Sequence, residues 1–321
     1  MVRQTFACML ILFTAVLMTP EAASYMNGRI IAYGDSTDTL VLDESFSGVK
    51  TIDAGISKIV LKNCKTTGGA KSGLMVPDGV TIELAEGTVN EVNAIESSGS
   101  MKIVGSGDLL MGSGLIADSG TLTLASTGKI KCDGGVIFNR DGDIKIESGK
   151  ISCSKNNDEG GWIMSLGGKI TINGGNITAH GAEFGITAED RLFLNGGTID
   201  ASGTDYAIMG AAKTDSNEDG IVIGDKMKSD GYTVTKEKQK NGQTYYKLEK
   251  EDTKSTAKVT ISDGTASSAA ATSDESTKTA ADDTEKEESG GGNYLPIILT
   301  AAGAAVLLLI AVIARQRRKN R

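Results

Sequence analysis

The sequence predicts an all-β fold: a single-stranded parallel β-helix, or β-solenoid, with about 21 residues and three short strands per coil. Three observations predict it. One unit recurs. Lys169-Ile170-Thr171-Ile172-Asn173-Gly174-Gly175-Asn176-Ile177-Thr178-Ala179 alternates apolar and polar residues on either side of a Gly-Gly turn, and the pattern returns at 143–151, 191–199 and 80–89. The spacing is nearly constant. The turn glycines Gly87, Gly107, Gly128, Gly149, Gly175 and Gly197 lie 20, 21, 21, 26 and 22 residues apart, and a fixed period of this size marks a repeat array. Finally, the apolar residues alternate with the period of a strand and nowhere follow helical spacing. One such coil can bury nothing alone, so each strand must pair with its counterpart one coil away.

The regular coils run from 80 to about 225. Residues 24–79 hold shorter β-rich runs at 39–42, 49–52 and 58–61, which read as early coils or an amino-terminal cap, since end repeats are atypical. Each regular coil has a third strand after its glycine turn. Val136, Trp162, Phe184 and Tyr206 occupy equivalent places in these strands and are expected in register. Each shares its face with an apolar residue two positions on, so buried stacking fits better than an exposed sugar platform. Residues 232–248 break the period. Lys240-Asn241-Gly242-Gln243 between two alternating runs is a hairpin signal. With 258–261, this hairpin is expected to cap the last coil and cover an edge open to aggregation. About ten coils are expected over 24–262, close to 48 Å at the strand-pairing distance.

The ends place the domain. Residues 1–23 carry Arg3, an apolar core from Phe6 to Met18 and small residues at Ala22-Ala23, the pattern of a secretory signal peptide. Residues 263–293 are Ser, Thr, Ala, Asp and Glu with a closing Gly290-Gly291-Gly292, a composition that cannot bury a core and should be a disordered stalk spanning roughly 30 Å. Within 294–314, Leu295 to Ala314 are free of charge and long enough to cross a bilayer as one helix. Residues 315–321 hold five cations, which marks the cytoplasmic side and puts the amino-terminal domain outside a cell membrane crossed once.

The whole chain carries a formal charge of −8. Setting aside Arg3, Glu21 and the tail cations leaves 27 basic against 40 acidic residues, a balance of −13. That disfavours nucleic acid and anionic membrane as partners and is compatible with neutral glycans, cations or basic proteins. Three cysteines follow the leader: Cys64, Cys132 and Cys153. The odd number excludes a complete intramolecular disulfide framework. Cys132 and Cys153 stand at the same place in successive coils, where the next coils have Ala179 and Ala201. A reduced ladder of small buried side chains and an inter-coil disulfide both fit that spacing.

Candidate site residues fall where the period is interrupted. The polar stretch 154–161 lengthens one coil and must bulge from the solenoid, so Asn156, Asn157, Asp158, Glu159 and the adjoining Trp162 are candidate ligand contacts. Asp215-Ser216-Asn217-Glu218-Asp219-Gly220 matches the first half of a calcium loop, with side-chain oxygens from Asp215, Asn217 and Asp219 and a backbone carbonyl from Ile221. The expected bidentate Glu is replaced by Lys226, so a solvated acidic turn is the competing reading. His180 is the only histidine, which excludes a His-pair metal site; it is expected in a solvated turn. The strand-face charges Lys145, Glu147, Lys169 and Arg191 read as isolated, and no catalytic motif stands out. Asn176-Ile177-Thr178 has the form of a glycosylation sequon.

The repeat at 169–179, echoed at 191–201, resembles the repeats of bacterial cell-surface proteins described as carbohydrate-binding-domain-containing, which are similar to pectin-lyase-like right-handed β-helices. The resemblance covers roughly 80–225 and implies the fold; it transfers no binding residue. It makes a membrane-anchored extracellular binding module or adhesin for carbohydrate or another surface component the expected function. A β-helix polysaccharide lyase or glycoside hydrolase and a passive surface spacer are the alternatives. No cofactor is expected beyond the calcium ion considered above.

Overall fold

The structure is a computed structural model and describes residues 38–69, 72–156, 159–212, 218–238 and 243–264. These residues form an all-β solenoid without a helix, built of three walls. The first wall stacks β1 (Thr39–Leu42), β4 (Lys58–Leu61), β7 (Val80–Leu84), β10 (Met101–Gly105), the second halves of β12 (Gly114–Ser126) and β14 (Val136–Ile146), then β18 (Ile170–Ile172), β21 (Leu192–Leu194) and β24 (Ile221–Ile223). The second wall stacks β2 (Ser45–Ser47), β5 (Lys65–Thr67), β8 (Val89–Glu91), β11 (Asp108–Met111), β13 (Lys129–Asp133), β15 (Lys150–Asn156), β19 (Asn176–His180) and β22 (Thr198–Ser202). The third stacks β3 (Val49–Thr51), β6 (Gly73–Val76), β9 (Ala94–Ser97), the first halves of β12 and β14, then β17 (Ile163–Ser165), β20 (Phe184–Ala188) and β23 (Tyr206–Ala212). Eight turns are therefore complete, fewer than the ten the period suggests. The difference lies at both ends, because 24–37 fall outside the described residues and 225–262 do not follow the coil.

Every pairing between successive coils is parallel and in register. In the first wall Leu40, Ile59, Ile82, Ile103, Leu124, Ile146, Ile172 and Leu194 form one inward column. In the third wall Leu74, Ile95, Leu115, Ile137, Ile163, Ile186 and Ile208 form another. All are buried. Stacked isoleucine and leucine suit this geometry, since each meets a neighbour of the same volume on a pleated surface. One inward column of the second wall, Asn90, Leu109, Ile130, Ile151, Ile177 and Ile199, has a single polar member, Asn90, which is fully buried. It is satisfied: its Oδ1 accepts from Cys64 N at 3.0 Å, and its Nδ2 donates to Thr88 Oγ1 and the Asp108 carbonyl.

The third-wall aromatics depart from the expected register. Ile163 pairs with Ile186, so Trp162 lies opposite Gly185 rather than Phe184. The outward column runs Met75, Glu96, Ile116, Phe138, Met164, Thr187, Met209. The aromatics fall into two pairs instead of one row. Phe138 meets Trp162 edge to face at 5.7 Å, and Phe184 stacks on Tyr206 at 6.3 Å. A one-residue offset moves a side chain to the other face of its strand; it arises after Trp162, because the corner 166–169 between β17 and β18 is one residue longer than the corner 189–191 between β20 and β21.

The chain closes on antiparallel partners. β25 (Tyr232–Lys238) and β26 (Thr244–Lys250) form a hairpin, β26 pairs with β23, and β27 (Lys258–Ser262) pairs with β22. The outer edges of the last second-wall and third-wall strands are thus hydrogen-bonded.

Glycine is required at the first corner. Gly149, Gly175 and Gly197 stack on one another with φ of 109°, 96° and 91°, in the left-handed region. A Cβ on Gly197 would also stand 2.4 Å from the Gly175 carbonyl oxygen. Gly197→Val is therefore expected to lower stability by more than about 1 kcal/mol, read as a shift of the urea midpoint; an unchanged midpoint would contradict this account of the corner.

Candidate functional site

The described surface has a groove of about 390 Å³ at the corner between the second and third walls. Corner length produces it. The corner after β5 spans five residues, 68–72, whereas those after β8, β11 and β13 have two each. In the sixth turn β15 instead runs on and folds back on β16 (Glu159–Gly160), pairing Asn156 with Glu159. The groove therefore occupies the short corners of turns three to five, between two longer ones.

Its floor and walls come from one outward column and the corner beside it. Glu91, Leu110 and Lys131 are neighbours on β8, β11 and β13, so an apolar side chain stands between an acid and a base. Thr66, Gly69, Ser72, Asn93, Met111, Gly112 and Asp133 complete the lining. Asn93 is held firmly: its Nδ2 donates to the Ser72 carbonyl at 3.2 Å and to Ser113 Oγ at 3.1 Å, and its backbone N–H donates to Thr66 Oγ1 at 2.9 Å. Gly112 keeps that amide uncrowded, because a Cβ there would lie 2.5 Å from Asn93 Oδ1. The charges are paired across the rim, Lys65 with Glu91 at 2.6 Å and Lys131 with Asp133 at 3.1 Å. The groove thus offers hydroxyl, amide and charged hydrogen-bonding groups around Leu110, with its charges balanced locally.

Two further clusters lie on the walls. On the first wall Asn195 Nδ2 donates to Asn173 Oδ1 and Asn173 Nδ2 to Glu147 Oε2, both at 2.9 Å, and Lys145 pairs with Glu147 at 2.5 Å. The bonds from Lys145 and Asn173 hold the Glu147 carboxyl below the usual carboxylate range. Beside them the Arg191 guanidinium lies 4.9 Å from the centre of the Phe193 ring and pairs with Glu218 at 2.8 Å. Lys169 pairs with Asp143 at 3.6 Å. The four charges expected to be isolated are therefore all engaged. On the third wall Glu96 lies in a row between Met75 and Ile116. Burial pushes its carboxyl above the ordinary value, Asp118 adds to the effect and Arg140 opposes it. Arg140 pairs with Asp118 at 3.3 Å.

None of the described residues singled out from sequence lines the groove. Trp162 is 4% exposed and packed on Phe138. Asn156 and Glu159 are paired backbone positions in the β15–β16 turn-back, and Asn157 and Asp158 lie outside the described residues. Of the calcium-loop candidates, Asp215 and Asn217 also lie outside them. Asp219 Oδ1 meets Lys236 Nζ at 3.0 Å, so a cation there would have to displace that ammonium. Ile221 is a buried member of β24, opposite Leu192. Among the described residues no group of three or more His, Cys, Asp or Glu is gathered to hold a metal. His180 is the last residue of β19 rather than part of a turn. Its Nε2 lies 3.0 Å from Asp200 Oδ2, and Asp200 Oδ1 accepts from Thr260 Oγ1 at 3.0 Å. Ser154 and Ser202 flank it in register, but the Ser154 hydroxyl turns to Asp133. Asn176 of the sequon is exposed on β19.

No family model matches the chain, and no curated protein or solved structure matches it. Among the described residues no helix is long and apolar enough to cross a membrane, and the apolar segment 294–314 lies outside them.

Glu96 sets a pH dependence whose sign follows from its environment. A carboxyl whose folded pKa is raised binds more protons folded than unfolded just above its ordinary 4.5, so stability falls as pH rises through the folded pKa. Glu96→Gln should raise the melting temperature at pH 7 and lose that advantage below about pH 4.5; an equal gain at both pH values would contradict burial as the cause.

Proposed function

We propose that the chain is an extracellular binding module, tethered to a cell membrane through 294–314, whose corner groove takes a neutral glycan. The groove is the observation that carries this reading. Hydroxyl, amide and paired charges around an apolar floor suit a ligand with hydroxyls on its rim and C–H groups on its face. Local charge balance and the −13 of the exposed part make a polyanion a poor occupant. The leader at 1–23, the stalk at 263–293 and the basic tail at 315–321 supply secretion, reach and orientation. In this reading the hairpin β25–β26 and strand β27 cap the solenoid, since an uncovered last coil on a cell surface would template association.

Cells displaying the full chain should retain fluorescent neutral oligosaccharides. The variants Leu110→Ala and Lys131→Ala should weaken retention roughly tenfold each, the scale of one lost contact. Retention unchanged in both variants would remove the groove from the proposal, and absence of binding across a broad glycan panel would favour a passive spacer. Protease added to intact cells should release the folded domain and leave the tail protected; a digested tail would reverse the orientation.

A second reading, a β-helix enzyme acting on polysaccharide, is favoured by Glu96, a carboxyl raised by burial beside the Asp118–Arg140 pair. Polysaccharide incubated with the chain would then yield reducing or unsaturated ends, and Glu96→Gln would abolish them.

A further inference from the structure

The register divides the three cysteines after the leader into a pair and a single. Cys132 and Cys153 are direct partners on β13 and β15, both inward-facing and fully buried, and both stand as free thiols in the structure. In-register neighbours stand about 4.8 Å apart, within the Cα separation of about 4.4–6.8 Å that a disulfide spans. The column continues through Ala179 and Ala201, so the side chain below the pair is small and leaves room for the sulfurs to turn. Cys64 has no such neighbour. It lies between β4 and β5, three coils before Cys132 and hence about 14 Å away along the axis, too far for a bond to either thiol. Burial pushes its thiol up to about 11, which keeps the reactive thiolate scarce.

We propose that Cys132 and Cys153 are joined as an inter-coil disulfide in the secreted protein, while Cys64 remains a thiol. The oxidant is a disulfide, carried by a thiol–disulfide oxidoreductase or an oxidised small thiol. One cysteine thiolate attacks a sulfur of that disulfide, forming a mixed disulfide and releasing one thiolate. The second cysteine thiolate attacks the protein sulfur of the mixed disulfide and releases the other. The oxidant leaves as two thiols, carrying the two electrons and the two protons lost by the cysteines. The bond is made while β15 is still docking on β13. Once the coil has closed, hydrogen bonding between the pair and complete burial hold the Cys153 thiol well above its ordinary value, so the folded thiols exchange slowly. The same burial then keeps reductants out, which makes the bond a structural staple rather than a switch.

The test maps thiols in the full chain recovered from the cell surface, and in parallel in chain unfolded and refolded in a glutathione redox buffer. Each sample is denatured without reductant, alkylated with iodoacetamide and digested. The expected result is alkyl label on Cys64 and linked peptides carrying Cys132 and Cys153, two hydrogens lighter than the reduced pair. Label on all three cysteines in either sample overturns the proposal, as does any linkage that includes Cys64. Wild-type chain refolded in excess reductant should melt several degrees below wild-type chain refolded in the redox buffer, whereas Cys153→Ala, which places at 153 the residue found at the next two positions of the column, should melt alike after both. An equal shift in both proteins also overturns it. The mapping does not depend on glycan binding, so its failure and the failure of the groove reading are separate results.

Discussion

Parallel, in-register stacking is the constraint on which the rest of the molecule depends. Whatever stands at one place in a coil meets its counterpart about 4.8 Å away in the next. Inside, that rule selects columns of isoleucine and leucine. Outside, it makes repeated charge costly. Two like charges at that distance repel by about 1 kcal/mol even in water, so one lysine per coil would accumulate a penalty along the wall. The first wall avoids this by alternation: Thr39, Lys58, Thr81, Lys102, Thr123, Lys145 and Thr171 follow one another in a single outward column. Spacing the lysines by two coils halves the repulsion. Glu83 and Glu147 in the adjoining column then meet Lys58 and Lys145 at 2.6 and 2.5 Å. Such exposed pairs add little stability individually. Their placement matters more, because it keeps a long flat face soluble without disturbing the register.

The same rule reaches the backbone at the corners. A strand pair needs only that side chains alternate, but a stacked turn brings carbonyl oxygens against the next Cα. Gly128 shows this without any need for positive φ: a Cβ there would stand 2.0 Å from the Gly107 carbonyl oxygen. Gly149, Gly175 and Gly197 combine crowding with left-handed backbone. Glycine recurs at these corners for two different reasons, and a sequence displays both as the same residue.

That distinction bears on what could be read without coordinates. The solenoid was legible because its signal is redundant: period, alternation and turn glycines repeat the same statement in every coil. The amide ladder from Asn195 through Asn173 to Glu147 is implicit in the alignment of the repeats, but equivalent positions become contacts only once stacking is in register. The spacing misplaces Trp162 against Phe184 by one residue, because the corner at 166–169 is one residue longer than its counterpart at 189–191 and nothing in the alternation marks the difference. The Gly181 that follows His180 suggests a turn, yet the strand pairing with β22 extends to His180 itself. The groove was not legible at all. It arises from a difference between corner lengths, and a search for similarity between coils discards differences.

This is a general property of a repeat fold that must also recognise something. Regular walls are flat, and a flat wall cannot surround a ligand. Concavity requires that neighbouring coils differ, so a site has to form where the repeat is imperfect, and the residues that line it come from positions the fold leaves free. Leu110 illustrates the point. Its position is outward, where Glu91 and Lys131 precede and follow it, and nothing in the core demands a leucine there. An apolar residue between two charged neighbours on a solvent face is a cost to solubility that packing does not explain. Asn93 is the counterpart on the corner, immobilised by three hydrogen bonds although no strand pairing requires it. Both positions face the same groove.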